Sequence, residues 1–128
     1  MKILIVDDQP NLARVTAIAL RLLGCETLTA GTGAEASRIL EAGNVDAVFL
    51  DVNLNGENGF ELLTQFLART SRLPVVMFTA EMLEDVAAEA STRGAIGCLV
   101  KPFGLDDLRE QLARIQAHLK SPTLPPPQ

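Results

Sequence analysis

Short apolar runs and longer segments of helical periodicity alternate five times along this chain, and that alternation leaves few folds open. Residues 2–6 form a continuous apolar run, as expected of a strand buried on both faces. Pro10 then opens a helix in which Leu12, Val15, Ala19, Leu22 and Leu23 recur at helical spacing until Gly24. Residues 25–30 read as a second strand, Gly31-Thr32-Gly33 as a turn, and residues 34–42 as a short helix closed by Gly43. Residues 45–50 are a third strand, followed by a polar, glycine-bearing stretch from Asn53 to Gly59 that is too long for a tight hairpin turn and reads as a functional or covering loop. Phe60, Leu63, Phe66 and Leu67 mark a helix ending near Arg72, residues 75–78 a strand, and residues 84–93 a helix stopped by Gly94. Residues 97–100 make the last strand, and Leu105, Leu108, Leu112 and Ile115 carry the last amphipathic helix. The pattern predicts an α/β fold, doubly wound, with a parallel sheet, right-handed crossovers and helices on both faces.

The 128 residues suit one domain with a real hydrophobic core. Hydrophobic residues make up 48% but aromatics only 4%, so aliphatic packing builds that core. A formal net charge of −5 disfavours direct binding to nucleic acid or to an anionic membrane. Cys25 and Cys98 have no metal-ligand spacing, and the one histidine, His118, lies in the last polar helix, which argues against zinc. Met1 and Lys2 lead straight into a strand without a signal-peptide core, and Arg14 and Arg21 interrupt the longest apolar stretch, so a cytoplasmic, reduced protein is expected.

The apolar runs end in residues suited to handling phosphate: Asp7-Asp8 after the first, Asp51 after the third, Thr79 after the fourth and Lys101-Pro102 after the fifth. Taken singly, each has a plain structural explanation. Asp8 and Thr79 suit helix caps, Asp51 an Asx turn, and Lys101 a solvated charge. Taken together they would meet, because ligands of open parallel sheets bind outside the carboxyl ends of the strands. Three clustered carboxylates repel one another and either raise a pKa or bind a hard cation, and with oxygen ligands alone Mg²⁺ is the natural occupant. Asp51 is then placed to act as a nucleophile toward a phosphoryl group, with Lys101 and the Thr79 hydroxyl taking its remaining oxygens.

These residues resemble the receiver domain of two-component response regulators over about residues 2–118. Asp7-Asp8 matches the family's acidic pair, Asp51 its phospho-accepting aspartate, Thr79-Ala80 its Thr/Ser-Ala pair, and Lys101-Pro102-Phe103 its Lys-Pro-Phe. The resemblance implies a flavodoxin-like (βα)5 three-layer sandwich with a five-stranded parallel sheet of order 2-1-3-4-5. It implies direct Mg²⁺ ligation by Asp8 and Asp51, a ligand from the backbone carbonyl of Asn53, and Asp7 acting through water. It also implies a cis Lys101-Pro102 peptide, a phosphoryl lifetime set by Asn53 and Glu81, a sensor histidine kinase or phosphotransfer protein as donor, and a downstream effector domain or protein as target. Two positions depart from the pattern. Asn55 stands where the family often has proline, so the loop is expected to be less stiff, although Gly56 and Gly59 fit. Cys98 stands where the family usually carries Tyr, Phe or His that swings inward, a movement a cysteine cannot make, so an altered output switch is expected.

Other classes fit less well. An aspartate-nucleophile phosphatase needs a general acid two residues after its nucleophile, where Asn53 cannot serve. A nucleotide-binding domain lacks its glycine fingerprint or P-loop. A receiver fold that works without phosphate is the stronger rival, set against a complete chemical set. The expected role is therefore a phosphoacceptor signalling domain, not an enzyme with separate substrate turnover. Residues 1–120 are expected to form that domain, and the proline-rich residues 121–128 a tail or the start of a linker.

Overall fold

The chain, seen in a computed structural model that describes residues 1–80 and 84–120, runs β1 (Lys2–Val6), α1 (Pro10–Leu22), β2 (Glu26–Ala30), α2 (Gly33–Ala42) and β3 (Ala47–Asp51). A small hairpin of β4 (Asn53–Leu54) and β5 (Glu57–Asn58) follows, then α3 (Gly59–Arg69), β6 (Val75–Thr79), α4 (Glu84–Thr92), β7 (Gly97–Val100) and α5 (Leu105–Lys120). The five longer strands pair in parallel in the order β2-β1-β3-β6-β7, which is 2-1-3-4-5 once the hairpin is set aside. The expected fold class is the observed one. Glu81 and residues 121–128 lie outside the described residues.

Alternate residues of a strand face opposite sides, and here both sides are covered. Leu4, Val6, Val48, Leu50, Val75 and Met77 pack with Ala36 of α2, Phe60, Leu63 and Phe66 of α3, and Ala90 of α4. Ile3, Ile5, Phe49, Val76 and Phe78 pack on the other side with Ala13, Ala17 and Leu20 of α1 and Leu108, Leu112 and Ile115 of α5. Between their ends the central strands β1, β3 and β6 are apolar, and apart from Lys2 at the start of β1 their polar residues, Asp51 and Thr79, come at the carboxyl ends.

Helix α1 buries a different face from the one its periodic large residues predict. Leu12, Val15 and Leu22 are 40%, 63% and 73% exposed, whereas Ala13, Thr16, Ala17 and Leu20 meet the sheet. Small side chains let the helix backbone approach the strands closely, and that contact outcompetes the larger apolar stripe. The second strand starts at Glu26, one residue later than predicted, because the Cys25 N–H still bonds to Leu20 O at 3.0 Å. The third starts at Ala47, and α3 ends at Arg69.

The stretch from Asn53 to Gly59, expected to be a functional or covering loop too long for a tight hairpin turn, corrects that expectation. It holds a two-residue hairpin turn, with Asn53 opposite Asn58 and Leu54 opposite Glu57, and Gly56 at φ +92° supplies the left-handed residue. Leu54 anchors it, being 1% exposed. The hairpin then hands directly to α3, where Asn58 Oδ1 accepts the Phe60 N–H at 2.8 Å as the N-cap. Gly59 lies so close to the strand end that a Cβ there would strike Asp51 O and fall 2.8 Å from Val52 Cα. Both obstacles are backbone atoms that cannot swing aside. Gly59→Ala is therefore expected to cost about 3 kcal/mol in urea denaturation. Gly31→Ala, whose Cβ would meet only Glu35 Oε1 at 3.5 Å, should stay within about 0.5 kcal/mol of wild type.

Candidate functional site

Strand register alone sets the site. Val6 pairs with Leu50, so Asp7 and Asp51 emerge side by side at the carboxyl edge; Thr79 pairs with Val100, so Lys101 emerges beside them. The Asp7 N–H is still bonded to Ala30 O at 3.0 Å and the Lys101 N–H to Thr79 O at 2.8 Å, which keeps these residues in the ladder's frame. Asp7, Asp51 and Thr79 are buried, and Asp8 is half-buried.

Lys101 closes the cluster. Its Nζ lies 2.9 Å from Asp51 Oδ2 and 3.3 Å from Asp7 Oδ2. The other oxygens of these two carboxylates take backbone donors: Asp51 Oδ1 accepts the Asn53 N–H and Asp7 Oδ1 the Gln9 N–H, both at 3.0 Å. Lys101 also sits 4.7 Å from the centroid of the Phe78 ring, which meets Phe103 edge-on at 6.0 Å. The Lys101-Pro102 peptide is cis.

The plain structural explanations fare unevenly. Asp8 is not the cap of α1, because Gln9 holds that position and makes no side-chain cap bond. Lys101 is not a solvated charge, its side chain being 18% exposed and paired twice. Asp51 does close an Asx turn, but through one oxygen only.

Asp7, Asp8 and Asp51 each offer an oxygen within 4.8 Å of the others. Such a set suits a hard cation that takes oxygen ligands and keeps some of its water, and the donors present fit Mg²⁺. Burial pushes the Asp51 carboxyl above its ordinary range, with Asp7 adding in the same direction; the hydrogen bonds from Lys101 and the Asn53 N–H pull it down without cancelling the rise. Without a cation, the folded protein therefore holds the ionised Asp51 at a cost.

The other predicted residues are placed differently. Asn53 is exposed at the start of the hairpin, with its backbone N–H on Asp51 Oδ1 at 3.0 Å. Cys98 sits three residues back along β7, half-buried against the core side that α3 and α4 cover, beside a 290 Å³ cavity lined by Ala87, Ala90, Ser91 and Ala95. Burial pushes its thiol up. Cys25 lies before the opposite edge strand, and both cysteines are free. Sequence reasoning missed Phe78 as the floor under Lys101. The signal was there, since Phe78 shares its sheet face with Val76 and directly precedes Thr79.

The family model of the response regulator receiver domain matches residues 3–113. The chain belongs to that family. The chemotaxis protein CheY of Pseudomonas aeruginosa is 41% identical over 118 residues, covering 90% of this chain and 95% of the relative. The regulatory protein AtoC of Escherichia coli is 35% identical over 107 residues, covering 84% of this chain but 23% of the relative. Among solved structures, the response regulator protein TrrA of Thermotoga maritima in complex with Mg²⁺ and BeF superposes with a TM-score of 0.80 at 29% identity, covering 89% of this chain and 97% of that one. Among the described residues of this receiver domain, no helix is long and apolar enough to cross a membrane.

The strained carboxylate gives a signed test. A raised folded-state pKa means that stability is greatest with Asp51 protonated and is lost as pH rises through that pKa. In EDTA at pH 7, Asp51→Asn should therefore unfold at higher urea than wild type, with the advantage shrinking as pH falls toward the ordinary aspartate value. Adding Mg²⁺ should stabilise wild type and leave the variant nearly unmoved, read by the same urea curves.

Proposed function

We propose that this receiver domain takes a phosphoryl group on Asp51 from a sensor histidine kinase or a phosphotransfer protein, in the presence of Mg²⁺, and passes the change to an output domain or protein. The observation that carries the proposal is the Lys101 ammonium held 2.9 Å from Asp51 inside a cluster of three carboxylates. A structural aspartate has no need of that company.

In the proposed step an Asp51 carboxylate oxygen attacks the phosphorus of a phosphohistidine or a small acyl phosphate. The new P–O bond forms as the bond to the imidazole nitrogen or carboxylate oxygen of the donor breaks, and the donor keeps that electron pair. Asp8, Asp51 and the Asn53 carbonyl would hold Mg²⁺, with Asp7 reaching it through water; the ion supplies positive charge to the phosphoryl oxygens. Lys101 trades its carboxylate partners for a phosphoryl oxygen, and the Thr79 hydroxyl takes another. Asn53 and Glu81 govern access of the water that later removes the group. Turnover of a separate substrate forms no part of this reading, and the work is done in the cytoplasm.

Residues 1–120 make up the unit, and residues 121–128 are a tail or linker. The match to a fraction of AtoC supports the idea that such a unit also serves within longer regulators. Cys98 alters the output rather than the chemistry, because the cavity beside it lacks the ring that would fill or vacate it.

Mass spectrometry of the protein treated with acetyl phosphate tests the assignment. One added phosphoryl group is expected with Mg²⁺, none in EDTA, and none in Asp51→Asn. Undiminished labelling of that variant would place the acceptor elsewhere.

A further inference from the structure

The hairpin that carries Asn53 is held at both ends. At its root the Gly59 N–H donates to Val52 O at 2.7 Å. At its far strand Glu57 reaches across to helix α2, where its Oε1 accepts the Gly33 N–H at 3.0 Å. Its Oε2 lies 2.7 Å from where a Cβ on Gly33 would stand, so the absence of a side chain there lets the carboxylate sit against the helix end.

Gly33 is the first residue of α2, and an N–H there has no partner within the helix. Two nearby donors are met locally: Thr32 Oγ1 accepts the Glu35 N–H and Glu35 Oε1 accepts the Gly31 N–H, each at 3.1 Å. Glu57 meets the Gly33 N–H from a distant part of the chain, and the helix dipole favours its negative charge.

The turn between the two short strands offers little stiffness of its own. Asn55 has no ring to fix its φ, and Gly56 is the least restricted residue. Leu54 buries its side chain, but apolar contact is not directional. The bond from Gly33 to Glu57 is directional, and Glu57 is paired directly across the hairpin with Leu54, the residue after Asn53.

We propose that Glu57 is a positioning residue for the cation: by tying the hairpin to the start of α2, it fixes the Asn53 carbonyl relative to Asp8 and Asp51 and so sets the affinity for Mg²⁺. The inference rests on the reading that Mg²⁺ binds there. It assigns a role to a residue that touches neither the ion nor the phosphoryl group.

Calorimetric titration of the whole chain with Mg²⁺ tests it, using wild type, Glu57→Met, Glu57→Gln and Asp8→Ala, with apo thermal unfolding measured alongside. Glu57→Met should weaken Mg²⁺ binding about 3- to 10-fold, less than the roughly 10- to 100-fold lost with a group bonded directly to a metal ligand, because Glu57 acts through the hairpin. Glu57→Gln keeps an oxygen that accepts the Gly33 N–H and should stay within about twofold of wild type. A contact that only stabilises the fold would lower the apo melting temperature in Glu57→Met and leave the dissociation constant of the folded protein unchanged; that result overturns the proposal. Glu57→Gln falling as far as Glu57→Met overturns it too, since long-range charge would then account for the loss. Wild type that fails to bind Mg²⁺, or binds it equally well as Asp8→Ala, removes the metal reading itself and the proposal with it, a pattern distinct from the other two.

Discussion

One ammonium group between two buried carboxylates organises this molecule. Lys101 bridges Asp51 and Asp7 at 2.9 and 3.3 Å, yet burial still leaves Asp51 with a carboxyl pushed above its ordinary range. Positive charge is therefore undersupplied at the strand ends. A site in that condition favours whatever brings more of it.

The sheet exists in the form it does because that cluster needs three non-adjacent parts of the chain in register. Parallel pairing of β1, β3, β6 and β7 aligns their carboxyl ends, and layers of Leu, Ile, Val and Phe on both faces fix the register. A slip of one residue in β3, β6 or β7 would turn that strand's core residues to the opposite face and displace Lys101 relative to Asp51. The hairpin and α3 extend the same frame. Gly59 is wedged against the backbone of Asp51 and Val52, and Glu57 carries the connection on to α2.

Much of this was legible in the chain itself. Fully apolar strands that end in aspartate, threonine or lysine announce both the parallel sheet and its working edge, because in such a sheet a polar residue is tolerated only where the strand leaves the core. What sequence could not decide was competition between equals. Helix α1 carries two apolar stripes, and only the closeness permitted by Ala13 and Ala17 selects the one that faces the sheet. The hairpin escaped notice because its strands are two residues long and its decisive contact, Glu57 with Gly33, joins segments far apart in the chain. The surroundings of Cys98 were likewise beyond reach, since the cavity beside it is bounded by residues of α4, the turn after it and Arg114 of α5. Asn55 leaves the turn without the fixed φ of a proline, and Glu57 ties the hairpin to α2 through the Gly33 N–H.

A crystal structure of the chain with Mg²⁺ and beryllofluoride tests the central claim most directly. It is expected to show the beryllium bonded to an Asp51 carboxylate oxygen, the metal held by Asp8, Asp51 and the Asn53 carbonyl, and Lys101 Nζ moved off Asp7 onto a fluorine. Metal density that leaves Asp51 out, or Lys101 still seated between Asp7 and Asp51 with beryllofluoride bound, would contradict it.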